Sequence, residues 1–177
     1  MAGKKLELGR TGRVVADNVF RLRDAAGLNY TELSNRLAKY ERDIPPLAVR
    51  RIEEGNRRVD VDDLVGLALA LDVSPSTLLM AKSKTGDDSV AVTGADSGVE
   101  ARRLWRWLVA KRPLIGDPDG AAVFEFLTRA VPGWLLGGAE DDRYDLVESG
   151  VEPYLTRSVR RTYGSEEKIR ERADGDD

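Results

Sequence analysis

Apolar residues recur at helical spacing through the first half of this chain, and each interruption carries glycine, proline or a capping side chain. Val15, Val19, Leu22 and Ala26 keep the i, i+4, i+7, i+11 rhythm of one helix face over residues 14–26, and Gly27 supplies a left-handed stop. A second helix follows, with Asn29 as its cap, Glu32 reaching back to complete a capping box, and Leu33 and Leu37 on the inner face. After the polar run KYERD, Pro45 and Pro46 suit the first turn of a third helix, because proline lacks only an N–H that has no intrahelical use there. Val49 and Ile52 turn inward, Arg50 and Arg51 outward, and Gly55 ends the helix. Asp60 caps a fourth helix with Asp63 in the box position and Leu64, Leu67, Ala68 and Leu71 as its apolar stripe; Ser74-Pro75 opens a short fifth carrying Leu78 and Leu79. Five helices over residues 11–81 predict an all-α domain.

Beyond it the pattern weakens. Residues 82–98 are small, polar and glycine-rich around a lone Val-Ala-Val, which predicts a flexible linker with room for one short extended piece. A smaller, mostly helical region is expected over 99–163. Ser97 would cap and Glu100 box a helix bearing Leu104, Trp107 and Leu108; Val123, Phe126, Leu127 and Ala130 mark another; and residues 153–163 suggest a third, with Tyr154, Leu155 and Val159 opposite Arg157, Arg160 and Arg161. Residues 164–177 form a charged tail.

Composition removes much chemistry. The 177 residues include no cysteine and no histidine, which excludes disulfides, thiolate nucleophiles, the usual zinc sites and histidine acid–base catalysis. No enzymatic activity and no cofactor are expected. No apolar run approaches the roughly 20 residues of a membrane helix, and the N-terminus lacks a secretory pattern, so a cytoplasmic protein without a membrane partner is expected. The formal net charge of −3 hides an asymmetry: residues 1–58 hold 13 Lys or Arg against 8 Asp or Glu, and residues 59–177 hold 15 against 23. The basic part contains IPPLAVRRIEEGNRR, whose four arginines around one short helix suit a polyanionic partner.

Helix, glycine turn, a helix with ELSNRL and a short helix closing on RIEEG together resemble the lambda-repressor-like helix-turn-helix domain of the XRE family. The resemblance runs through RLRDAAGLNYTELSNRL, AVRRIEEG and VDDLVGLALALDVSPSTLL and covers roughly 62 of 177 residues. It implies a positioning helix over residues 29–37 and a recognition helix over 45–54 whose leading end enters the major groove of double-stranded DNA. Pro46, Leu47 and Arg51 would face the groove with Arg50 nearby, Arg51 forking to a guanine and Leu47 meeting a thymine methyl. Phosphate contacts would come from Asn29, Tyr30, Asn56, Arg57 and Arg58, and Arg23 and Glu53 would form a buried pair tying the first helix to the third. The connection AKYERDIPP is about five residues longer than the family's compact turn, and Lys39 or Arg42 in it would add a phosphate contact.

The implied function is a transcriptional regulator, most simply a repressor, binding an inverted repeat as a homodimer through residues 99–163 and residing on the nucleoid when bound. The alternative is an antitoxin or phage-type immunity factor whose C-terminal region captures a partner protein, with DNA binding for autoregulation. Plainer readings compete locally. The arginines of the third helix would also suit a solvated face, and Arg157, Arg160 and Arg161 fit one better than a second DNA contact. Trp105, Trp107 and Trp134 fit core or subunit interface better than a ligand pocket. The run GDPDG at 116–120 fits a capped turn better than a calcium loop, since Thr128 stands where a bidentate glutamate is needed. A self-cleaving Ser-Lys domain would need a strand pattern that the second half does not show.

Overall fold

The computed structural model describes residues 7–137, together with the backbone of 142–147 and 154–159. Arg160, Arg161 and the tail 164–177 lie outside the described residues. The chain divides into two compact units, residues 1–127 and 128–177.

The first unit begins with the five expected helices: α1 (Arg10–Ala25), α2 (Tyr30–Ala38), α3 (Pro46–Glu53), α4 (Val61–Ala70) and α5 (Pro75–Leu79). Their boundaries follow local chemistry. Gly27, at φ 66°, takes the left-handed turn between α1 and α2, a region that side chains with a Cβ disfavour. The capping box on α2 is complete: Asn29 Oδ1 accepts from the Glu32 amide at 2.9 Å and Glu32 Oε2 from the Asn29 amide at 2.7 Å. Pro45 precedes α3, Pro46 opens it, and Ser74 caps α5. The inward faces meet in one core of Val15, Val19, Leu33, Leu37, Ile44, Val49, Ile52, Leu67, Leu71 and Leu78, all buried. Each large aliphatic side chain withdrawn from water there stabilises the fold by about 1.5–3 kcal/mol.

Asn18, 2% exposed, crosses from α1 to the end of α5, donating from Nδ2 to the carbonyls of Leu78 at 3.0 Å and Met80 at 2.7 Å. It satisfies carbonyls that the end of a helix leaves without partners.

The expected flexible linker is instead a β-hairpin. β1 (Ser89–Val92) pairs antiparallel with β2 (Ala95–Glu100), and Gly94 turns between them at φ 89°. Val90 and Val92 alternate inward to a small second core with Ala95, Ala101, Leu104 and Leu114. The hairpin is held to the start of α1: Thr11 and Thr93 exchange two bonds, amide to hydroxyl, at 3.3 and 3.0 Å, and Arg10 Nη1 donates to the Ala95 carbonyl at 2.6 Å. The resulting support lets α1 begin one turn earlier than its apolar rhythm predicts.

Ser97 lies in β2 and caps nothing; α6 (Ala101–Leu108) starts after Glu100, and its first amides donate to the carbonyls of Asp88 and Gly86 at 2.9 and 2.8 Å. Trp105 and Trp107 are 42% and 39% exposed, so the core of this chain does not account for them. Asp119 caps the start of α7 (Gly120–Ala130) by accepting from the Ala122 amide at 2.9 Å, which makes GDPDG a capped turn.

In the second unit, α8 (Gly133–Gly137) precedes a second antiparallel hairpin, β3 (Asp142–Val147) with β4 (Tyr154–Val159), in register from Asp142↔Val159 to Val147↔Tyr154. The helix expected over 153–163 is thus a strand across 154–159. Tyr, Leu, Thr and Val in YLTRSV favour a pleated surface, and the pairing with β3 settles an ambiguity that periodicity leaves open. The fold is mostly helical but not strictly all-α. Among the described residues no helix is long and apolar enough to cross a membrane.

Candidate functional site

α3 is held from α1 by the expected buried pair. Arg23 forks onto Glu53, Nε to Oε1 at 2.6 Å and Nη2 to Oε2 at 3.0 Å, while Nη1 donates to the Leu28 carbonyl at 2.6 Å. The two side chains are only 10% and 4% exposed. The Tyr30 ring lies 4.5 Å from the guanidinium carbon, a cation–π contact that covers the other side of the charge. The bond to Glu53 raises the Arg23 pKa against the opposing effect of burial. The fork helps set which way α3 faces, because neither charge has another ion pair among the described residues.

The long connection between α2 and α3 is anchored throughout. The amide of Arg42 donates to the Leu37 carbonyl at 3.2 Å, Glu41 takes a left-handed φ of 59°, and Ser34 Oγ donates to the Ile44 carbonyl at 2.7 Å. Ile44 is 1% exposed, its side chain within the core. The side chain of Arg42, expected to reach for phosphate, turns inward to Asp63, which also accepts from Arg57 at 2.8 Å. Asp63 is 1% exposed. Arg42 reaches it by lying across Gly66, where a Cβ would stand 2.7 Å from Arg42 Cγ.

Asp63 therefore does not complete a capping box. Its amide donates to Asp60 Oδ1 at 2.7 Å, but its carboxylate serves the two arginines. The box needs the reach of glutamate or glutamine, and the shorter aspartate leaves its charge available to the interior. Sequence reasoning missed this role and had no local signal for it beyond that missing methylene.

The proposed groove-facing positions separate into two groups. Leu47 is 57% exposed, and Arg51 is exposed with no hydrogen bond or ion pair from its side chain among the described residues. Pro46 is half-buried beside them. Arg50 is exposed but paired one turn along with Glu54 at 2.6 Å, and Asn56 donates to the same carboxylate at 3.2 Å; these bonds hold the Glu54 carboxyl below its ordinary pKa.

The expected phosphate-binding residues are spread further. Asn29 spends its side chain on the α2 cap, Tyr30 its ring on Arg23, and Arg42 and Arg57 their guanidinium groups on Asp63. Arg58 is exposed, with one long bond of 3.4 Å to the Glu7 carbonyl. A cation not anticipated from sequence, Arg13 of α1, lies against Gly55 at the end of α3, where a side chain would collide with its guanidinium. A positive charge there complements the helix dipole. Arg51, Arg58 and Arg13 thus remain accessible, whereas Arg42 and Arg57 are committed to the scaffold.

No family model, no curated protein and no solved structure matches this chain. The functional reading rests on its own geometry and on the sequence resemblance.

Proposed function

We propose that this chain is a sequence-specific DNA-binding transcriptional regulator, a repressor in the simplest case, acting on the nucleoid as a homodimer at an inverted repeat. One observation carries the reading: α3 is fixed on its inner side by the core, the Arg23–Glu53 fork and an anchored connection, while its outer side offers Leu47 and an Arg51 side chain unpaired among the described residues. A rigid mount for an exposed reader is what base recognition requires, since a hydrogen-bonding fork must reach a base edge without paying to order its own backbone.

In this reading Arg51 makes two parallel bonds to O6 and N7 of a guanine, Leu47 packs on a thymine methyl, and Arg50 exchanges Glu54 for DNA. Arg58 holds phosphate and sets register without carrying sequence information. Arg42 and Arg57 act through Asp63, fixing the connection, rather than through DNA.

Selection of bound duplexes from a random pool tests the reading, and an inverted repeat should emerge. On the selected site Arg51→Ala should lose about 1–3 kcal/mol relative to random DNA, whereas Arg58→Ala should weaken both DNAs alike and flatten the salt dependence. A pool that yields no enriched duplex, or an Arg51→Ala protein with unchanged discrimination, refutes it.

A further inference from the structure

α4 is apolar on two sides. Its inner residues, among them Leu67 and Ala68, belong to the core, yet of its four exposed positions, Val61, Asp62, Val65 and Leu69, three are aliphatic. Those three are 76%, 44% and 49% exposed. The neighbouring α2 behaves as a surface helix should, exposing Thr31, Glu32, Asn35, Arg36 and Ala38. Val61, Val65 and Leu69 stand at i, i+4 and i+8, one continuous ridge about 12 Å long. A helix with an aliphatic ridge outside as well as an apolar stripe inside is normally covered on both sides.

We infer that this ridge is the contact with a second copy of the chain, the two α4 helices packing antiparallel across a twofold axis at Val65. Rows at four-residue spacing on two helices run parallel when the helices cross at about −50°, so the ridge suits its own copy. The twofold sets Val65 against the partner's Val65 and interleaves Val61 with the partner's Leu69.

Charge agrees with that orientation. Asp62, with 81% of its side chain exposed, stands at the N-terminal end of the ridge 3.9 Å from Arg42, and Arg36 of α2 lies at the C-terminal end, where its Nη1 donates to the Ala70 carbonyl at 3.4 Å. Antiparallel pairing brings each Asp62 to the partner's Arg36 on the same flank, twice by symmetry, and opposes the two helix dipoles.

A stable dimer covers roughly 800 Å² per partner, more than three aliphatic side chains supply. The opposite flank provides further apolar surface: Val61 also borders a cleft of about 300 Å³ walled by Leu8, Val59, Leu64 and Leu79.

The inference rests on the homodimer of the proposed function, placing its contact on α4 rather than on the expected residues 99–163, and not on its DNA contact, so the test is made without DNA. Val65→Glu and Val65→Lys replace an exposed valine with good helix formers, and melting and circular dichroism check that each full-length variant folds. By sedimentation at micromolar concentration the unmodified chain should be a dimer and each variant alone a monomer. An equimolar mixture of the two should return to dimer, because glutamate then faces lysine across the axis. A monomeric unmodified chain, a variant that stays dimeric, or a mixture that stays monomeric overturns the α4 contact. None of these outcomes bears on whether Arg51 discriminates among DNA sequences.

Discussion

Glu53 and Asp63 are both buried carboxylates that receive arginine, but Glu53 takes one guanidinium in a fork, whereas Asp63 divides its oxygens between Arg42 and Arg57. The surroundings differ as much as the count. Arg23 is 10% exposed and covered by the Tyr30 ring, while Arg42 and Arg57 keep 31% and 33% of their side chains in contact with solvent. If Glu53 were lost, Arg23 would stay buried without a counter-charge. If Asp63 were lost, Arg42 would keep Asp60 at 3.5 Å and Asp62 at 3.9 Å, and Arg57 could turn to water. Two similar ion pairs therefore hold α3 and its connection with different severity.

Removing each carboxylate should expose that difference. Glu53→Ala leaves a buried, uncompensated charge and should destabilise the protein by about 3–5 kcal/mol in urea unfolding, with α3 losing amide protection. Asp63→Ala should cost about 1–3 kcal/mol, the loss of hydrogen bonds to a buried group whose partners can rehydrate. Its added amide exchange should concentrate in residues 39–45, leaving the segment around Arg23 protected. Equal losses for the two variants would show that solvent access at Arg42 and Arg57 makes no difference.

The smallest effect isolates the path of Arg42. Gly66→Ala gains about 1 kcal/mol of helix propensity, but its methyl would stand 2.7 Å from Arg42 Cγ, so in the native background it should lower the melting temperature. In an Arg42→Ala background only the Arg42 Cβ remains close, at 3.3 Å, and the same change should lower it much less. A thermal double-mutant cycle in which the two changes simply add would place the Arg42 stem elsewhere.

Much of the first five helices was readable without coordinates because their signals are local. Gly27 ends α1, Asn29 with Glu32 starts α2, and Pro45-Pro46 starts α3, each within four residues of the group it serves. The Arg23–Glu53 pair came from the family resemblance; nothing in the spacing of the two residues would have found it. Arg50 and Arg51 were legible as outward positions because the inward Val49 and Ile52 fix the phase of a short helix, whereas Leu47 came from the family resemblance. The outer ridge of α4 went unread, since Leu64, Leu67, Ala68 and Leu71 already satisfied the expectation of a single buried stripe.

Caps, turns and helical phase are properties of neighbouring residues, and for them the order of amino acids is sufficient. Other outcomes awaited distant partners. β1 pairs with β2 and leans on Thr11 some eighty positions away, β4 is a strand because β3 lies beside it, and Asp63 faces inward because Arg42 arrives across Gly66. An arginine is equally suited to a phosphate or a buried carboxylate. Which it meets is decided by packing, because the energy of a charge depends on what surrounds it rather than on what precedes it in the chain.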